Sequence, residues 1–130
     1  MSCWTYVAAV VRVDGIQKID FEKVFGKELH FDSDTEMWDD AEKYPENYLP
    51  FGSEGSLSMS VWENPLENHL AKYTVSIFGD LRDHFDYESI INWFKKKVEN
   101  VWVRQAVITV DIGTEASYTW TLGDTEMVKG

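Results

Sequence analysis

The fold of this chain is decided by its first apolar stretch, Cys3-Trp-Thr-Tyr-Val-Ala-Ala-Val-Val-Arg-Val-Asp14. Residues 3–13 alternate between two sets of side chains, and both sets are largely apolar. This pattern is typical of a central strand that is covered, at least in part, on both faces of its sheet. Asp14 and Gly15 then predict a turn that ends the strand.

Two helices and four further strands are predicted downstream. The first helix begins after Asp20, which suits an N-cap, and ends near Leu29. The second helix begins after Asp86 and carries three lysines in its last turn, which favours the negative end of the helix dipole. Its buried side is predicted to consist of Ile90, Ile91, Phe94 and Val98. The predicted strands cover residues 3–14, 56–63, 71–78, 101–112 and 118–122.

The order of these elements is β-α-β-β-α-β-β. Short connections and right-handed crossovers favour an α+β, ferredoxin-like β-α-β-β-α-β fold, with both helices on one face and an additional C-terminal edge strand. We expect a single domain over residues 1–130. An acidic insertion of about residues 30–55 separates the first helix from the second strand, with a helix predicted around Met37 and Trp38. Residues 123–130 are expected to form a frayed tail.

The charge of the chain is strongly negative and unevenly distributed. Twenty-three acids oppose 12 bases among 130 residues, for a formal net charge of −11. Residues 32–67 hold ten of the acids and one base, Lys43, so this window alone carries −9. Such a field repels the phosphates of nucleic acids and anionic membranes. It favours attraction to basic protein surfaces.

The cysteine content and the start of the chain bear on its compartment. Cys3 is the only cysteine, so no intramolecular disulfide and no thiolate zinc site is expected. The first residues have no basic n-region, and no apolar run is long enough to span a bilayer. We expect a cytoplasmic protein, whether of a bacterium or of a host cell.

The candidate catalytic and metal-binding patterns fail on their spacing. An EF-hand loop that starts at Asp32 needs Gly and Glu where the chain has Met37 and Lys43. Ser53 lacks the Gly-x-Ser-x-Gly elbow of hydrolases. The three histidines form no His-x-x-x-His pair. We therefore predict no catalytic residue, metal or cofactor, and expect a protein that is not an enzyme.

RNA binding is the alternative that the predicted topology raises, because RNA-recognition modules stack bases on aromatic residues of an open sheet. Trp62 and Phe78 are placed where they could lie on such a face. The serine-rich outer sides of their strands lack the basic and aromatic motif, and the net charge has the wrong sign. Direct binding of nucleic acid is not expected.

Three short motifs in order along the chain carry a resemblance. They are Cys3-Trp4-Thr5-Tyr6-Val7, Gly52-Ser53-Glu54-Gly55, and Gly79-Asp80-Leu81-Arg82-Asp83 before a helix that contains Trp93. In these the chain resembles a group of small uncharacterised proteins of Firmicutes and their phages that open Met-x-Cys-Trp-Thr-Tyr-Val. The acidic insertion departs from that group. The resemblance implies a phage or mobile-element setting and no particular reaction.

One edge of the predicted sheet gathers polar residues from separate segments. In the expected topology, Trp4, Glu54, Arg82, Asp83 and Asp111 all lie at this edge. The simplest interpretation is that Arg82 pairs with a carboxylate, Glu54, Asp83 or Asp111, and holds loops in place. The functional interpretation is a small-ligand-binding or hydrolytic site, in which Arg82 holds an anionic group and a carboxylate acts as base.

The leading functional hypothesis is a non-enzymatic, acidic binding protein. Residues 32–46 would dock on a basic groove of a nucleic-acid-binding enzyme and inhibit it, with Trp38 and Tyr44 as apolar anchors. The carboxylates assigned to this contact are Asp34, Glu36, Asp39 and Asp40. The competing interpretation is that these acids only keep the insertion solvated.

Overall fold

The structure is a computed structural model that describes residues 4–15, 19–29, 31–32, 37–38, 45–52, 55–66, 71–82, 86–113, 116–123 and 128–129. The strands are β1 (Trp4–Asp14), β2 (Phe31–Asp32), β3 (Met37–Trp38), β4 (Ser58–Glu63), β5 (Ala71–Arg82), β6 (Val103–Ile112), β7 (Ala116–Thr121) and β8 (Val128–Lys129). The helices are α1 (Phe21–Phe25) and α2 (Tyr87–Val98), and a 3-10 turn covers Pro45–Asn47.

Six of the strands form one sheet in the order β4-β5-β1-β6-β7-β8, and each neighbouring pair is antiparallel. β1 lies in the middle of the sheet, between the two longest partners. Its Trp4 is opposite Arg82 of β5, and its Tyr6 is opposite Asp111 of β6. β2 and β3 pair with each other in a separate two-stranded sheet.

The side chains of β1 divide cleanly between the two faces of the sheet. Thr5, Val7 and Ala9 are buried, as are Val11 and Val13, whereas the residues between them are exposed. We name the first side the covered face and the second the open face. The prediction that β1 is covered on both sides is wrong, because α2 packs on one face only and nothing in the described chain covers the other.

Helix α2 supplies most of the cover. Its four buried residues are the predicted ones, Ile90, Ile91, Phe94 and Val98. The side chain of Asp86 accepts a hydrogen bond from the Ser89 amide at 3.1 Å, so the predicted N-cap is confirmed. The spacing of apolar residues in the sequence therefore predicted the buried side of α2 correctly.

Aromatic contacts hold α2 against β7. The ring of Phe94 meets Trp120 of β7 edge to face, with centroids 5.9 Å apart. Tyr87 stacks on Tyr118, with centroids 3.7 Å apart. Hydrogen bonding to Tyr118 and partial burial raise the pKa of Tyr87 above its ordinary value, because both favour the neutral phenol. The helix thus covers β1, β6 and β7.

Helix α1 is much shorter than predicted. It begins as expected after Asp20, whose side chain accepts a hydrogen bond from the Lys23 amide at 3.3 Å. It ends at Phe25 because Gly26 adopts φ 124° and ψ 164°, a conformation open almost only to glycine. Beyond it, the Leu49 amide donates to the Lys27 carbonyl at 2.7 Å. The chain leaves the helix to pair with residues 47–49, so the predicted end near Leu29 is wrong.

The predicted ferredoxin-like fold is also wrong. That fold needs two helices packed side by side on one face, whereas α1 has five residues and α2 has 12. The described residues form mainly an antiparallel sheet with one helix longer than two turns, and residues outside helices complete the cover of the sheet. Phe25, Leu49 and Leu57 fill the core where a second long helix was expected.

Smaller corrections concern the ends of elements. Met37 and Trp38 lie in β3, not in a helix. Val128–Lys129 pairs with β7, so the tail after residue 123 is not wholly frayed. β5 extends to Arg82, beyond the predicted end at residue 78. Ladder hydrogen bonds to β1 outweigh the weak strand propensity of Gly79 and Asp80 here.

Candidate functional site

The predicted polar edge of the sheet lies at the start of β1 and the end of β5. Trp4 and Arg82 are directly opposite each other across the ladder, and both are partly buried. Asp111 lies two pairs further along, opposite Tyr6. The structure therefore brings Trp4, Arg82 and Asp111 to the same end of the sheet.

The segment before β4 approaches the same end. The Gly52 amide donates to the Gly55 carbonyl at 3.0 Å, which closes a tight turn. Gly55 has φ 80° and lies against the backbone carbonyl of Asp80, so a side chain there would be both strained and obstructed. Glu54 and Asp83 lie outside the described residues, and the predicted pairing of Arg82 with a carboxylate stays a prediction.

Most of the acidic segment also lies outside the described residues. This applies to Asp34, Glu36, Asp39, Asp40 and Tyr44. Trp38 is placed in β3 by its backbone. Asp32 is placed in β2 by its backbone. Five other acids near this part of the chain have exposed side chains, and they are Asp20, Glu22, Glu28, Glu46 and Glu63.

A groove that sequence reasoning missed lies between α1 and β4, on the covered face. Its floor is apolar, and two carboxylates stand on the α1 side. It is lined by Ile19, Asp20, Phe21, Glu22, Met59 and Val61. We name these six residues the edge groove.

The edge groove exists because α1 is short. Met59 and Val61 are opposite the fully buried Ile77 and Val75, so they belong to the covered face. Val61 is nevertheless 40% exposed, since the five residues of α1 do not reach across the strand. Phe21 is held in place by an edge-to-face contact with Tyr73, with centroids 5.2 Å apart. The floor is therefore firmly packed but not covered.

The outer side of β4 is one of the two free edges of the sheet in the described chain. β4 is first in the strand order and pairs only with β5. Near its start, the Ser58 hydroxyl donates to Glu28 at 3.2 Å. The second half, Ser60–Glu63, is exposed and carries a single charge, at Glu63. Such an edge presents backbone donors and acceptors to an added strand.

The edge groove has a negative rim. Asp20 and Glu22 are both exposed, and one oxygen of Asp20 already accepts from the Lys23 amide. Glu63 lies two residues beyond Val61 on β4 and forms a salt bridge of 3.7 Å with Lys72. An apolar floor with carboxylates around it suits a chain segment that carries apolar and basic side chains in alternation.

Among the described residues, no three His, Cys, Asp or Glu side chains are grouped closely enough to hold a metal ion. No helix of the described chain is both long and apolar enough to cross a bilayer.

Comparison of the chain with protein-family models, with curated proteins and with solved structures gave no significant match.

A signal for the edge groove is present in the sequence. Gly26 follows the first turn of the predicted helix, and glycine is the common residue at a helix end. An early end at Gly26 would have left Met59 and Val61 without a helix to cover them. The position of residues 45–49 against Lys27 depends on long-range pairing, which local patterns do not reveal.

Proposed function

We propose that the protein is a non-enzymatic binding protein that docks on a basic protein surface. The observation that carries the proposal is the edge groove, which combines an apolar floor and two rim carboxylates and lies beside a strand edge that no described strand pairs with. The partner would add an extended segment beside β4. Its main chain would pair with Ser60–Glu63, and its apolar side chains would enter the groove between Phe21 and Val61.

The charge of the chain supports a basic partner. The window 32–67, which includes β4, carries −9 of the net −11. Charges around an interface mainly increase the association rate and exclude partners of the same sign. The acidic segment 32–46, with Asp34, Glu36, Asp39 and Asp40, is proposed to steer the basic partner toward the groove.

The proposed biological role is inhibition of a nucleic-acid-binding enzyme, whose phosphate-binding surface is basic by necessity. A protein that occupies this surface excludes the nucleic acid. The resemblance to small proteins of Firmicutes and their phages supports a phage or mobile-element setting, in the cytoplasm of the infected cell. The ligand-binding or hydrolytic alternative at Trp4, Glu54, Arg82 and Asp83 stays a hypothesis.

The test uses the full chain and a peptide of about ten residues, enough to pair with a strand of ordinary length. The peptide alternates lysine with valine, and a glutamate–valine peptide of equal length is the control. Amide NMR shifts on titration should change first in β4 and α1, and affinity should fall as salt is raised. Equal binding of both peptides, or shifts confined to other strands, would contradict the proposal.

Two variants sharpen this test. Glu22→Lys reverses one rim charge of the edge groove and should weaken lysine-peptide binding by about tenfold, as a close charge pair is worth. Glu99→Lys makes the same change of charge at the exposed end of α2 and should leave the affinity within about twofold, because surface charges separated by more than a Debye length are screened. Equal losses in both variants would mean that only net charge matters.

A further inference from the structure

The open face carries an exposed apolar patch across several strands. Its members come from alternate positions of β1, β4, β5 and β6, so they point to the same side. They are Tyr6 (45% exposed), Val10 (42%), Trp62 (55%), Phe78 (50%) and Val107 (37%). Exposed apolar side chains gathered on one face are typical of an interaction surface.

The two ends of the open face carry opposite charges. At one end, Tyr6 of β1 is flanked by Asp80 of β5 and Asp111 of β6. At the other end, Arg12 of β1 donates a hydrogen bond to Gln105 of β6 at 3.4 Å. The two rows are six residues apart on β1, which corresponds to about 20 Å along the strand. At the first end Arg82 follows Asp80 on the same side of β5, so that end holds two carboxylates and one guanidinium. The face therefore has an excess of negative charge at one end, apolar residues in the middle and Arg12 at the other end.

The basic end is also concave. A shallow depression there is lined by Val10, Arg12, Arg104, Gln105, Val107 and Leu122. Arg104 binds Asp14 at 3.0 Å, which holds its guanidinium at this end of the sheet. A carboxylate approaching from above would meet the Arg12 guanidinium and the Gln105 amide at the rim.

From these features we propose that the open face binds a second copy of this chain, face to face, in a two-fold dimer. This inference goes beyond the proposed function and does not depend on it, since the edge groove lies on the opposite face. The axis runs between the two sheets and perpendicular to their strands. It places the Arg12 end of each copy over the Asp80 and Asp111 end of its partner.

Symmetry and charge together select this arrangement. Two sheets stacked by a two-fold axis can be related by an axis parallel to the strands or by one perpendicular to them. A parallel axis above β1 would put Arg12 over Arg12 and Asp80 over Asp111, so like charges would face each other at both ends of the interface and oppose association. The perpendicular axis reverses the strand direction and pairs Arg12 with Asp80 and Asp111 twice.

The sizes of the side chains agree with the perpendicular axis. Its centre falls between Ala8 and Val10 of β1, so the small Ala8 of one copy faces the larger Val10 of the other. On β5, the protruding Phe78 pairs with Ala8 in the ladder and would cover Ser76 of its partner. Large residues thus meet small ones, as close packing between sheets requires.

The face is also large enough. Five strands at a spacing of about 4.8 Å and seven residues at about 3.3 Å give roughly 550 Å² in projection. Because side chains make the face uneven, its accessible area is larger than this projection and approaches the value of a standard interface, about 800 Å² per partner. In the dimer β4 lies over β4, so both edge grooves open near one side of the assembly and can bind a bivalent partner with avidity.

The test is a charge exchange, measured by sedimentation equilibrium of the full chain near physiological salt. The wild type should form a dimer with a dissociation constant that is micromolar or tighter. Arg12→Glu and the double variant Asp80→Arg/Asp111→Arg should each weaken self-association by about 100-fold, since each places like charges at both ends of the interface. An equimolar mixture of the two variants should form a heterodimer, because every pair is then opposite in sign.

Control variants separate this interface from effects of net charge. Lys96→Glu changes the charge as Arg12→Glu does but lies exposed on α2, so it should dimerise as the wild type does. Phe78→Ser removes the central apolar contact without any change of charge and should also give a monomer. A wild type that stays monomeric at about 100 µM, where interfaces of this size associate, would overturn the proposal. The proposal would also be overturned if Arg12→Glu and Asp80→Arg/Asp111→Arg were both folded and formed no heterodimer when mixed.

Discussion

The two faces of the central sheet are built from the same strands and yet differ in almost every physical respect. On the covered face, Val11, Val75 and Ile77 are fully buried beneath α2 and the residues around Leu49. On the open face, Val10 and Phe78 are next to them in sequence and about half exposed. Apolar residues on a strand therefore do not by themselves show that a face is buried within the chain. We infer that an apolar face that stays open within the fold is a site of association.

The two faces differ because the described helices are too few and too short to cover both. One 12-residue helix covers β1, β6 and β7, and the five residues of α1 leave Val61 uncovered even on the side where cover exists. No described element remains for the open face. The two incomplete surfaces, the edge groove and the open face, are the two places where we infer binding.

The largest effect is expected on the covered face. Phe94→Ala should lower the free energy of unfolding by about 3–5 kcal/mol, through lost transfer energy and the cavity left under Trp120. Urea unfolding followed by tryptophan fluorescence measures the change. A loss below about 1 kcal/mol would show that α2 does not hold the sheet through this residue.

A smaller loss is expected at the end of α1. Gly26→Ala forces a non-glycine residue into φ 124° and brings its Cβ within 2.6 Å of the Tyr48 carbonyl carbon. Strain of this kind costs about 1–3 kcal/mol, before any relief by movement of residues 47–49. If the variant is as stable as the wild type, the helix can continue past Gly26, and the edge groove would then be covered in solution.

The smallest effect on stability is expected from the acidic segment. Exchanging Asp34, Glu36, Asp39 and Asp40 for their amides should change the free energy of unfolding by less than about 1 kcal/mol, because solvated charges contribute little individually. The same variant should bind the lysine–valine peptide more slowly at low salt. Unchanged association rates would mean that these acids only keep the segment solvated and do not steer a partner.

Much of the molecule could be predicted because its signals are local. The caps at Asp20 and Asp86 and the buried side of α2 follow from residue type and spacing within a few positions. The fold class could not be predicted, because it depended on where α1 ends. That end is set by Gly26 together with a pairing between Lys27 and Tyr48, which are 21 positions apart in the sequence.

The candidate surfaces were harder to predict for the same reason. The alternation in β1 is visible in the sequence, but the same pattern fits a strand covered twice and a strand with a docking face. The sequence correctly placed Trp62 and Phe78 on the open face. They support a protein interface only because no described element packs on that face. The edge groove brings together Phe21 and Met59, which are 38 positions apart in the sequence. Local periodicity does not reveal such a long-range arrangement.

The most direct test of the two-face account compares neighbours on β5, Ile77→Ala and Phe78→Ala. Ile77→Ala should lower the free energy of unfolding by about 2–5 kcal/mol and leave self-association of the folded protein unchanged. Phe78→Ala should cost about 1 kcal/mol or less in the dilute monomer and abolish the dimer. Urea unfolding at low concentration and sedimentation at high concentration measure both quantities. Equal losses of stability in the two variants, with self-association unaffected in either, would contradict the account.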